Sequence, residues 1–140
     1  MKLLVTAGPT REHLDPFRFL SNPSSGRMGY ALASAGAARG WETVLVSGPV
    51  SLPPVAGALL VRVESALQMR DEVLRRFEAC DALVMAAAVS DYRPRRFSPV
   101  KLKKTALSLS LPLELNPDIL AEAAARKEKR IVVGFAAETD

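Results

Sequence analysis

The sequence predicts an α/β protein with an open, mostly parallel sheet and helices on both of its faces. Short apolar runs typical of strands alternate along the chain with longer segments typical of helices. The strand-like runs lack the in/out alternation of a half-exposed sheet, and residues 82–89 (ALVMAAAV) are apolar throughout. In such folds, ligands bind beyond the carboxyl ends of the strands. We therefore expect functional residues in the segments that follow strands, at 8–25, 47–54, 87–104 and 134–139.

Five strands and three helices follow from the apolar patterns and the turn residues between them. The predicted strands are residues 2–7, 42–47, 59–63, 82–89 and 131–135. The predicted helices are residues 25–39, 65–80 and 117–126. Ser24 or Ser25 is the expected N-cap of the first helix, and Gly40 is its stop. Asn116 is the expected N-cap of the last helix, with Pro117 at the first helical position.

The composition is that of one globular domain, predicted to occupy residues 1–140. The chain is 49% hydrophobic and 24% charged, which argues against disorder. No apolar run approaches the ~18 residues of a membrane-spanning helix, and no secretory signal is present at the N-terminus. The single cysteine, Cys80, and the single histidine, His13, exclude a disulfide framework and a multi-Cys or multi-His metal site. We interpret both residues as structural and expect a cytoplasmic protein.

Positive charge is concentrated in residues 92–105, which we call the basic segment. The net charge of the chain is +4, and six basic residues lie in this segment: Arg93, Arg95, Arg96, Lys101, Lys103 and Lys104. The remainder of the chain therefore carries a net negative charge, which argues against a nucleic-acid-binding face. The segment is either a solvated charge run or a mobile loop that meets an anion. We expect it to be mobile in the free protein and ordered around a bound triphosphate.

Residues 8–24 and the basic segment have no predicted secondary structure. Residues 8–24 are rich in glycine, proline and polar residues without periodicity, and are predicted to be a loop. A short Leu/Ser alternation at residues 107–111 follows the basic segment.

Two common nucleotide-binding fingerprints are absent. Gly-x-x-x-x-Gly-Lys-Ser/Thr does not occur, which excludes a P-loop protein. The first strand leads into Gly8-Pro9-Thr10-Arg11-Glu12 rather than into Gly-x-Gly-x-x-Gly. A nicotinamide or flavin oxidoreductase therefore has weak support.

The turn before the first helix is a candidate anion site. Ser24, Ser25 and Gly26 lead into a helix N-terminus, where free backbone N–H groups and the helix dipole favour a phosphate or carboxylate. The structural alternative is an ordinary N-cap with a packing glycine. Asn22 is likewise either a ligand contact or a turn residue.

The ends of the later strands offer further candidates. The small residues 86–88 leave space for a flat ligand, and Asp91 either binds a ribose hydroxyl or Mg²⁺ or forms an Asx turn. Residues 116–120 offer backbone N–H groups at a helix start, or they only cap that helix. Phe135 either stacks on a base or packs in the core.

Together these segments resemble one family. VTAGPTREHLDPFRFLSNPSSGRMGYALA (5–33), AAAVSDYRP (86–94), KLKK (101–104), LNPDIL (115–120) and VGFAAET (133–139) resemble the synthetase domain of the phosphopantothenoylcysteine decarboxylase/synthetase family. The resemblance implies a Rossmann-like fold, and a ligase of coenzyme A biosynthesis that joins 4′-phosphopantothenate to L-cysteine. It implies CTP with Mg²⁺, an acyl-cytidylate intermediate, a homodimer and, often, fusion to a flavin-dependent decarboxylase domain.

The resemblance also implies roles for individual residues. Asn22 matches the asparagine that holds the acyl-cytidylate, and Lys101 matches the lysine of a flexible flap that closes over this intermediate. Ser24, Ser25 and Gly26 match the site for the substrate's phosphate. The implied nucleotide-binding residues are Gly8, Met85, Ala86, Ala87, Asp91, Lys101, Pro117, Asp118, Ile119, Leu120 and Phe135. The nucleotide, rather than a cluster of side chains, is expected to carry Mg²⁺.

The resemblance leaves one functional alternative open. The family domain continues beyond the position of Thr139, and the further part supplies lysines for the triphosphate and structure for the dimer. A chain without that part is alternatively a nucleotide- and phosphopantothenate-binding domain that is inactive as a ligase. The choice between CTP and ATP does not follow from the residues.

Overall fold

The computed structural model describes residues 1–104, 110–137 and 139. The strands are β1 (Lys2–Ala7), β2 (Glu12–His13), β3 (Phe19–Leu20), β4 (Glu42–Ser47), β5 (Ala58–Arg62), β6 (Ala82–Met85), β7 (Tyr92–Pro94), β8 (Leu113–Leu115) and β9 (Ile131–Gly134). A central five-stranded sheet has the order β5-β4-β1-β6-β9, and all its neighbouring strands are parallel. The predicted parallel α/β sheet is confirmed.

Helices cover both faces of this sheet, as predicted. They are α1 (Arg27–Ala38), α2 (Ala66–Phe77) and α3 (Ile119–Ala124). Because successive strand residues point to opposite faces, β1 contributes to two cores. Leu3 and Val5 pack in the core under α1, whereas Leu4 packs in the core under α2 and α3. The burial of β1 on both faces accounts for its continuous apolar sequence.

Two glycines determine how α1 sits on the sheet. A Cβ at Gly29 would lie 2.5 Å from the Ala7 Cβ and 2.7 Å from the Thr6 carbonyl oxygen, so only glycine allows this close approach. Gly26 is the N-cap, with a φ of 76° in the left-handed region that glycine adopts most readily. The prediction of Ser24 or Ser25 as N-cap is therefore wrong. The chain turns at a buried glycine, which packs against Gly8, before the helix begins.

Short antiparallel strands occur in segments that were predicted to be loops. Strand β2 pairs with β3 inside residues 8–24, and β7 pairs with β8 across the basic segment. Pairs of two or three residues produce no readable periodicity, so the sequence did not reveal them. Thr105 and residues 107–109 of the predicted alternation lie outside the described residues, and residues 110–112 are not in a strand.

Two predicted elements have different bounds for identifiable reasons. Strand β6 ends at Met85 rather than at 89, because the next residues leave the sheet and Ala88 pairs only as an isolated bridge with Pro9. Helix α3 begins at Ile119 rather than at 117. Asp118 is its N-cap and accepts a hydrogen bond from the Ala121 N–H at 2.9 Å, so the prediction of Asn116 as N-cap is wrong.

The remaining predicted elements differ from the structure by a few residues at their ends. Helix α2 begins after Ser65, which forms a capping box with Gln68, and ends at Phe77. Among residues 1–104, 110–137 and 139, no helix is long and apolar enough to cross a membrane.

Candidate functional site

At the carboxyl edge of the sheet, the order of the strands reverses between β1 and β6, which is the position where ligands bind in folds of this kind. Three hydrogen bonds hold the loops after these two strands together. The Ala87 N–H donates to the Thr6 hydroxyl at 3.2 Å, and the Ala88 N–H donates to the Gly8 carbonyl at 2.9 Å. The Ser90 N–H donates to the hydroxyl of Thr10, a fully buried residue, at 3.0 Å. These hydrogen bonds hold the loop after β1 and the loop after β6 in one arrangement.

Asn22 bridges the two loops. Its Nδ2 donates to the Ala88 carbonyl at 2.7 Å, and its Oδ1 accepts from the Ser24 N–H at 3.1 Å. An asparagine amide carries two N–H donors, of which Ala88 takes one. Asn22 is half-buried at this junction, and its second donor is the group that it can offer to a ligand.

A cleft of about 680 Å³ lies beyond β6 and β9. Its lining includes many of the residues that were predicted to bind nucleotide: Met85, Ala87, Asp91, Pro117, Asp118, Ile119, Leu120 and Phe135. Phe135 is 50% exposed, which excludes the alternative that its ring packs in the core. The other lining residues are not among the implied nucleotide-binding residues, although most lie in segments that were expected to be functional: Val89, Ser90, Tyr92, Leu115, Asn116, Gly134 and Ala136.

Asn116 joins the two walls of this cleft. Its Nδ2 donates to the Ser90 carbonyl at 2.8 Å, and its N–H donates to the Asp91 carbonyl at 2.7 Å. Its Oδ1 accepts from the Arg93 guanidinium at 2.9 Å. The position of Asn116 before a proline suggested a helix cap. Its contacts with the Ser90–Arg93 loop are visible only in the three-dimensional structure.

A second cavity of about 450 Å³ lies beside the start of α1. Ser24, Ser25 and Arg27 line it on one side, and residues 49–52 line it on the other. The N-cap Gly26 has no side chain, and the Ser25 hydroxyl accepts from the Arg27 N–H only at the long distance of 3.5 Å. The first turn of α1 holds no acidic residue, so it keeps further backbone donors and a positive dipole end for an anion. The geometry suits a phosphate or carboxylate.

The whole chain, residues 1–140, matches the family model described as the DNA/pantothenate metabolism flavoprotein C-terminal domain. This chain belongs to that family. It is 48% identical to the Coenzyme A biosynthesis bifunctional protein CoaBC of Vibrio parahaemolyticus, over 99% of this chain and 35% of that protein. The chain thus spans about a third of the curated relatives that it matches.

Solved structures agree with this assignment. The crystal structure of the C-terminal domain of CoaBC superposes with a TM-score of 0.85 at 43% identity, covering 99% of this chain and 65% of that one. Cab2, solved as a complex with phosphopantothenate-cysteine, has the same fold at 19% identity, with a TM-score of 0.83 over 99% of this chain and 64% of that one. The family resemblance seen in the sequence is confirmed.

In this flavoprotein C-terminal domain, three of the predicted nucleotide-binding residues do not line the large cleft. Gly8 lies instead against Gly26, between the two cavities, and Ala86 donates its N–H to the Thr6 carbonyl. The Lys101 ammonium lies 5.6 Å from the centre of the Phe17 ring. The structure therefore gathers most of the predicted nucleotide site in one place and leaves Lys101 outside it.

Two backbone N–H groups attach the basic segment of the domain to residues 14–18, although the sequence predicts a segment that is mobile in the free protein. The Ser98 N–H donates to the Leu14 carbonyl at 2.9 Å, and the Leu102 N–H donates to the Asp15 carboxylate at 3.1 Å. Burial by itself raises the pKa of Asp15, but the Arg18 guanidinium and three backbone N–H donors lower that pKa well below its usual value. Asp15 is therefore a buried carboxylate that stays charged. Asp15 lies in the segment predicted to be a loop, and no sequence signal indicated its partner 87 residues away.

His13 and Cys80 of the domain lie outside both cavities. The His13 Nε2 is 2.9 Å from Glu64, and its ring lies against Phe19. Cys80 is buried in the core under α2 and α3, and this burial raises the pKa of its thiol. Within the described residues, no three His, Cys, Asp or Glu side chains are grouped so as to hold a metal ion.

Proposed function

We propose that this chain is a phosphopantothenate–cysteine ligase domain of coenzyme A biosynthesis, which uses CTP to join 4′-phosphopantothenate to L-cysteine. The observation that carries the proposal is the cleft, because eight of the residues with an implied nucleotide role line it together. They come from three separate segments of the chain. Family membership and the likeness to CoaBC, a protein named for coenzyme A biosynthesis, support the same function.

The reaction consists of two displacements. A carboxylate oxygen of phosphopantothenate attacks the α-phosphorus of CTP, and pyrophosphate leaves with the bonding electrons. The amine nitrogen of cysteine then attacks the acyl carbon of the acyl-cytidylate, loses a proton, and CMP leaves. A carboxylate is a poor electrophile before this activation, so the protein's tasks are alignment and the offsetting of negative charge.

We place the nucleotide in the large cleft and the substrate's phosphate at the start of α1. Phe135 offers a half-exposed ring to the base, and Asp91 is an exposed carboxylate within reach of a ribose hydroxyl. Asn22 contacts Ala88 on one side and Ser24 on the other, and we assign its second N–H donor to the acyl-phosphate. Mg²⁺ enters with the triphosphate in this proposal, which agrees with a cleft whose acidic residues are Asp91 and Asp118.

The proposal extends to the surroundings of the domain. The relatives are bifunctional proteins about three times as long as this chain, which supports a flavin-dependent decarboxylase partner, fused or separate. We further propose a homodimer that works in the cytoplasm on small-molecule substrates and binds neither nucleic acid nor membrane.

Pyrophosphate release tests the proposal. The full-length polypeptide that contains this chain is incubated with phosphopantothenate, cysteine, CTP and MgCl₂, and ATP replaces CTP in a parallel reaction. We expect pyrophosphate in step with phosphopantothenoylcysteine, and an acyl-cytidylate detectable by mass spectrometry when cysteine is omitted. Nucleotide binding without any pyrophosphate release would identify the inactive binding domain instead.

A pair of variants at the end of β9 tests the location of the nucleotide. Phe135 directly follows this strand, and Phe135→Ala removes the proposed stacking partner. The substitution is expected to raise the KM for CTP about 5- to 100-fold, the scale of one base–aromatic stack. Val133→Ala is the matched control, because this 39% exposed residue lies on β9, two residues before Phe135, and outside the cleft. Equal KM values for the two variants would place the base elsewhere.

A further inference from the structure

An ion pair between the buried Asp15 and the exposed Arg18 lies at the base of the basic segment. The Asp15 Oδ1 accepts hydrogen bonds from the Phe17 and Arg18 N–H groups, both at 2.9 Å, and so closes a turn in its own loop. The Oδ2 accepts from the Arg18 Nε at 3.0 Å and from its Nη2 at 2.6 Å. Asp15 has no exposed surface.

This pair also binds both backbone polar groups of Leu102. The Leu102 N–H donates to the Asp15 Oδ2 at 3.1 Å, and the Leu102 carbonyl accepts from the Arg18 Nη2 at 2.5 Å. One carboxylate and one guanidinium thus grip a single residue more than 80 positions away in the sequence. We call this arrangement the Leu102 clamp.

The clamp does more than the local turn requires. The Oδ1 alone satisfies the turn, whereas the Oδ2 and the guanidinium are directed to Leu102. Only the carboxylate of this pair is fully buried. A buried charge adds little net stability compared with apolar packing even when it is paired, and its best-attested use is to specify one arrangement. What the clamp specifies here is the backbone next to Lys101.

Lys101 is the residue most affected, because it directly precedes the gripped residue. Its side chain is exposed, and its ammonium lies 5.6 Å from the Phe17 ring centre, over the same turn that Asp15 closes. The clamp therefore determines the point from which a long, flexible lysine side chain extends.

We propose that Asp15 and Arg18 are positioning residues that hold the Lys101 backbone so that its ammonium reaches the reacting phosphate. The inference rests on the proposed ligase function, in which Lys101 stabilises the charge that develops during formation of the acyl-cytidylate. Asp15 acts through Lys101 and touches neither substrate nor nucleotide.

The first test follows the clamp itself and needs no activity. Asp15→Asn keeps an oxygen for the turn but turns N–H donors toward the Leu102 N–H and the Arg18 guanidinium. Arg18→Gln keeps the carboxylate and removes the guanidinium, and therefore serves if Asp15→Asn fails to fold. By hydrogen exchange on the full-length protein, we expect the Leu102 amide to be protected in the wild type and to exchange at least about tenfold faster in either variant. If the Leu102 amide exchanges at the wild-type rate in folded variants, Asp15 and Arg18 do not hold this backbone, and the inference is overturned.

The second test asks whether the clamp acts through Lys101. Acyl-cytidylate formation is measured for Asp15→Asn, Lys101→Gln and the double variant. A misplacement of about 1 Å can lower the rate ~10²-fold, so Asp15→Asn is expected to lose about 10- to 100-fold. Lys101→Gln removes the charged group itself and is expected to lose ~10² or more. The double variant should be no slower than the slower of the two single variants, because one interaction is lost only once.

The outcomes separate this inference from the function on which it rests. Losses that multiply in the double variant, at unchanged Tm, would show that Asp15 acts independently of Lys101 and would overturn the inference. A wild type that forms no acyl-cytidylate would overturn the ligase function and this role together, while the exchange data would still report the clamp. Arg39→Gln is the matched control for loss of an arginine. Arg39 lies over Trp41 at the end of α1, and its substitution should change neither measurement.

Discussion

At the scale of single residues, Asn22 combines a structural contact with the proposed chemical one. One N–H of its amide is used by the Ala88 carbonyl, and its oxygen is used by the Ser24 N–H. The other N–H is the donor that we assign to the acyl-phosphate. Because both functions depend on one amide, a substitution must distinguish the loss of a donor from the introduction of a negative charge.

We predict that Asn22→Asp impairs capture of cysteine more than activation of phosphopantothenate. A carboxylate repels both the acyl-phosphate and the Ala88 carbonyl, and loss of one positioned donor costs about 10²–10³ in rate. Rapid-quench measurements of the two half-reactions test this prediction. Asn22→Ala is the control, since it removes the donor without adding charge. Equal losses in both half-reactions would contradict the assigned role.

Lysine substitutions test whether the basic segment acts through one residue or through its general field. Lys101→Gln is expected to leave the fold intact and to slow acyl-cytidylate formation by ~10² or more, the scale of one positioned electrostatic group. Lys103→Gln and Lys104→Gln should cost much less, because both act only through screened, long-range attraction. Similar rates for all three variants would indicate a diffuse phosphate-attracting patch instead.

At the scale of secondary-structure elements, the position of α1 determines the anion site at its N-terminus. The helix lies so close to β1 that a side chain at Gly29 meets Ala7 and the Thr6 carbonyl. A shift of the helix therefore also shifts the backbone donors that face the smaller cavity.

We predict that Gly29→Ala destabilises the fold and weakens binding of phosphopantothenate. The alanine gains about 1 kcal/mol of helix propensity, but overpacking against β1 costs more, and we expect a net loss of about 1–2 kcal/mol. Urea unfolding and the KM for phosphopantothenate measure the two effects. Ser34→Ala, on an exposed position of α1, should change the unfolding free energy by no more than about 0.5 kcal/mol. An unfolding free energy at or above that of the wild type would contradict the prediction, because it would show that α1 and β1 can separate enough to accommodate the methyl group.

At the scale of the whole molecule, charged carboxylates link elements that are distant in sequence. Arg70 of α2 binds both oxygens of Glu122 in α3, at 2.7 to 3.0 Å, and Asp15 joins the first loop to the basic segment. Hydrogen bonding to Arg70 lowers the pKa of Glu122, and hydrogen bonding to Arg75 lowers that of Glu72. All three carboxylates therefore contribute stability in their charged forms.

We predict that stability falls in acid. Because the pKa values of Asp15, Glu72 and Glu122 are lowered in the folded state, the unfolded chain binds more protons between the folded and unfolded pKa values. The stabilisation is complete above the unfolded values of about 4 and is lost as the pH falls through the folded values. Urea midpoints measured from pH 7 to pH 3 should be constant at first and then decline below about pH 5.

Two variants identify the source of this pH dependence. Glu122→Gln should flatten the decline, because its side chain no longer titrates. Asp71→Asn is the matched control, since Asp71 also contacts Arg70, but with a carboxylate that is 73% exposed, and its curve should parallel that of the wild type. A Glu122→Gln curve parallel to the wild type would exclude this pair as a source of the acid sensitivity.

The sheet, the helices and the order in which they occur follow from the amino-acid sequence alone. Strands buried on both faces need apolar residues at every position, as in residues 2–7, and a glycine stops a helix, as Gly40 does after α1. These requirements are local, so they can be read along the chain. The motifs around Asn22, Asp91 and Phe135 also indicated the site, because ligands bind at the carboxyl ends of parallel strands.

Which of these residues meet depends on the tertiary structure. Asn116 binds the Ser90–Arg93 loop instead of capping a helix, and Asp15 binds Leu102 from 87 residues away. Strands β2 and β3, and β7 and β8, pair within predicted loops. Each of these contacts joins polar groups that belong to different turns or strands. Buried polar groups must be paired for the fold to be stable, and the partner is whichever group the packed sheet and helices bring within hydrogen-bonding distance.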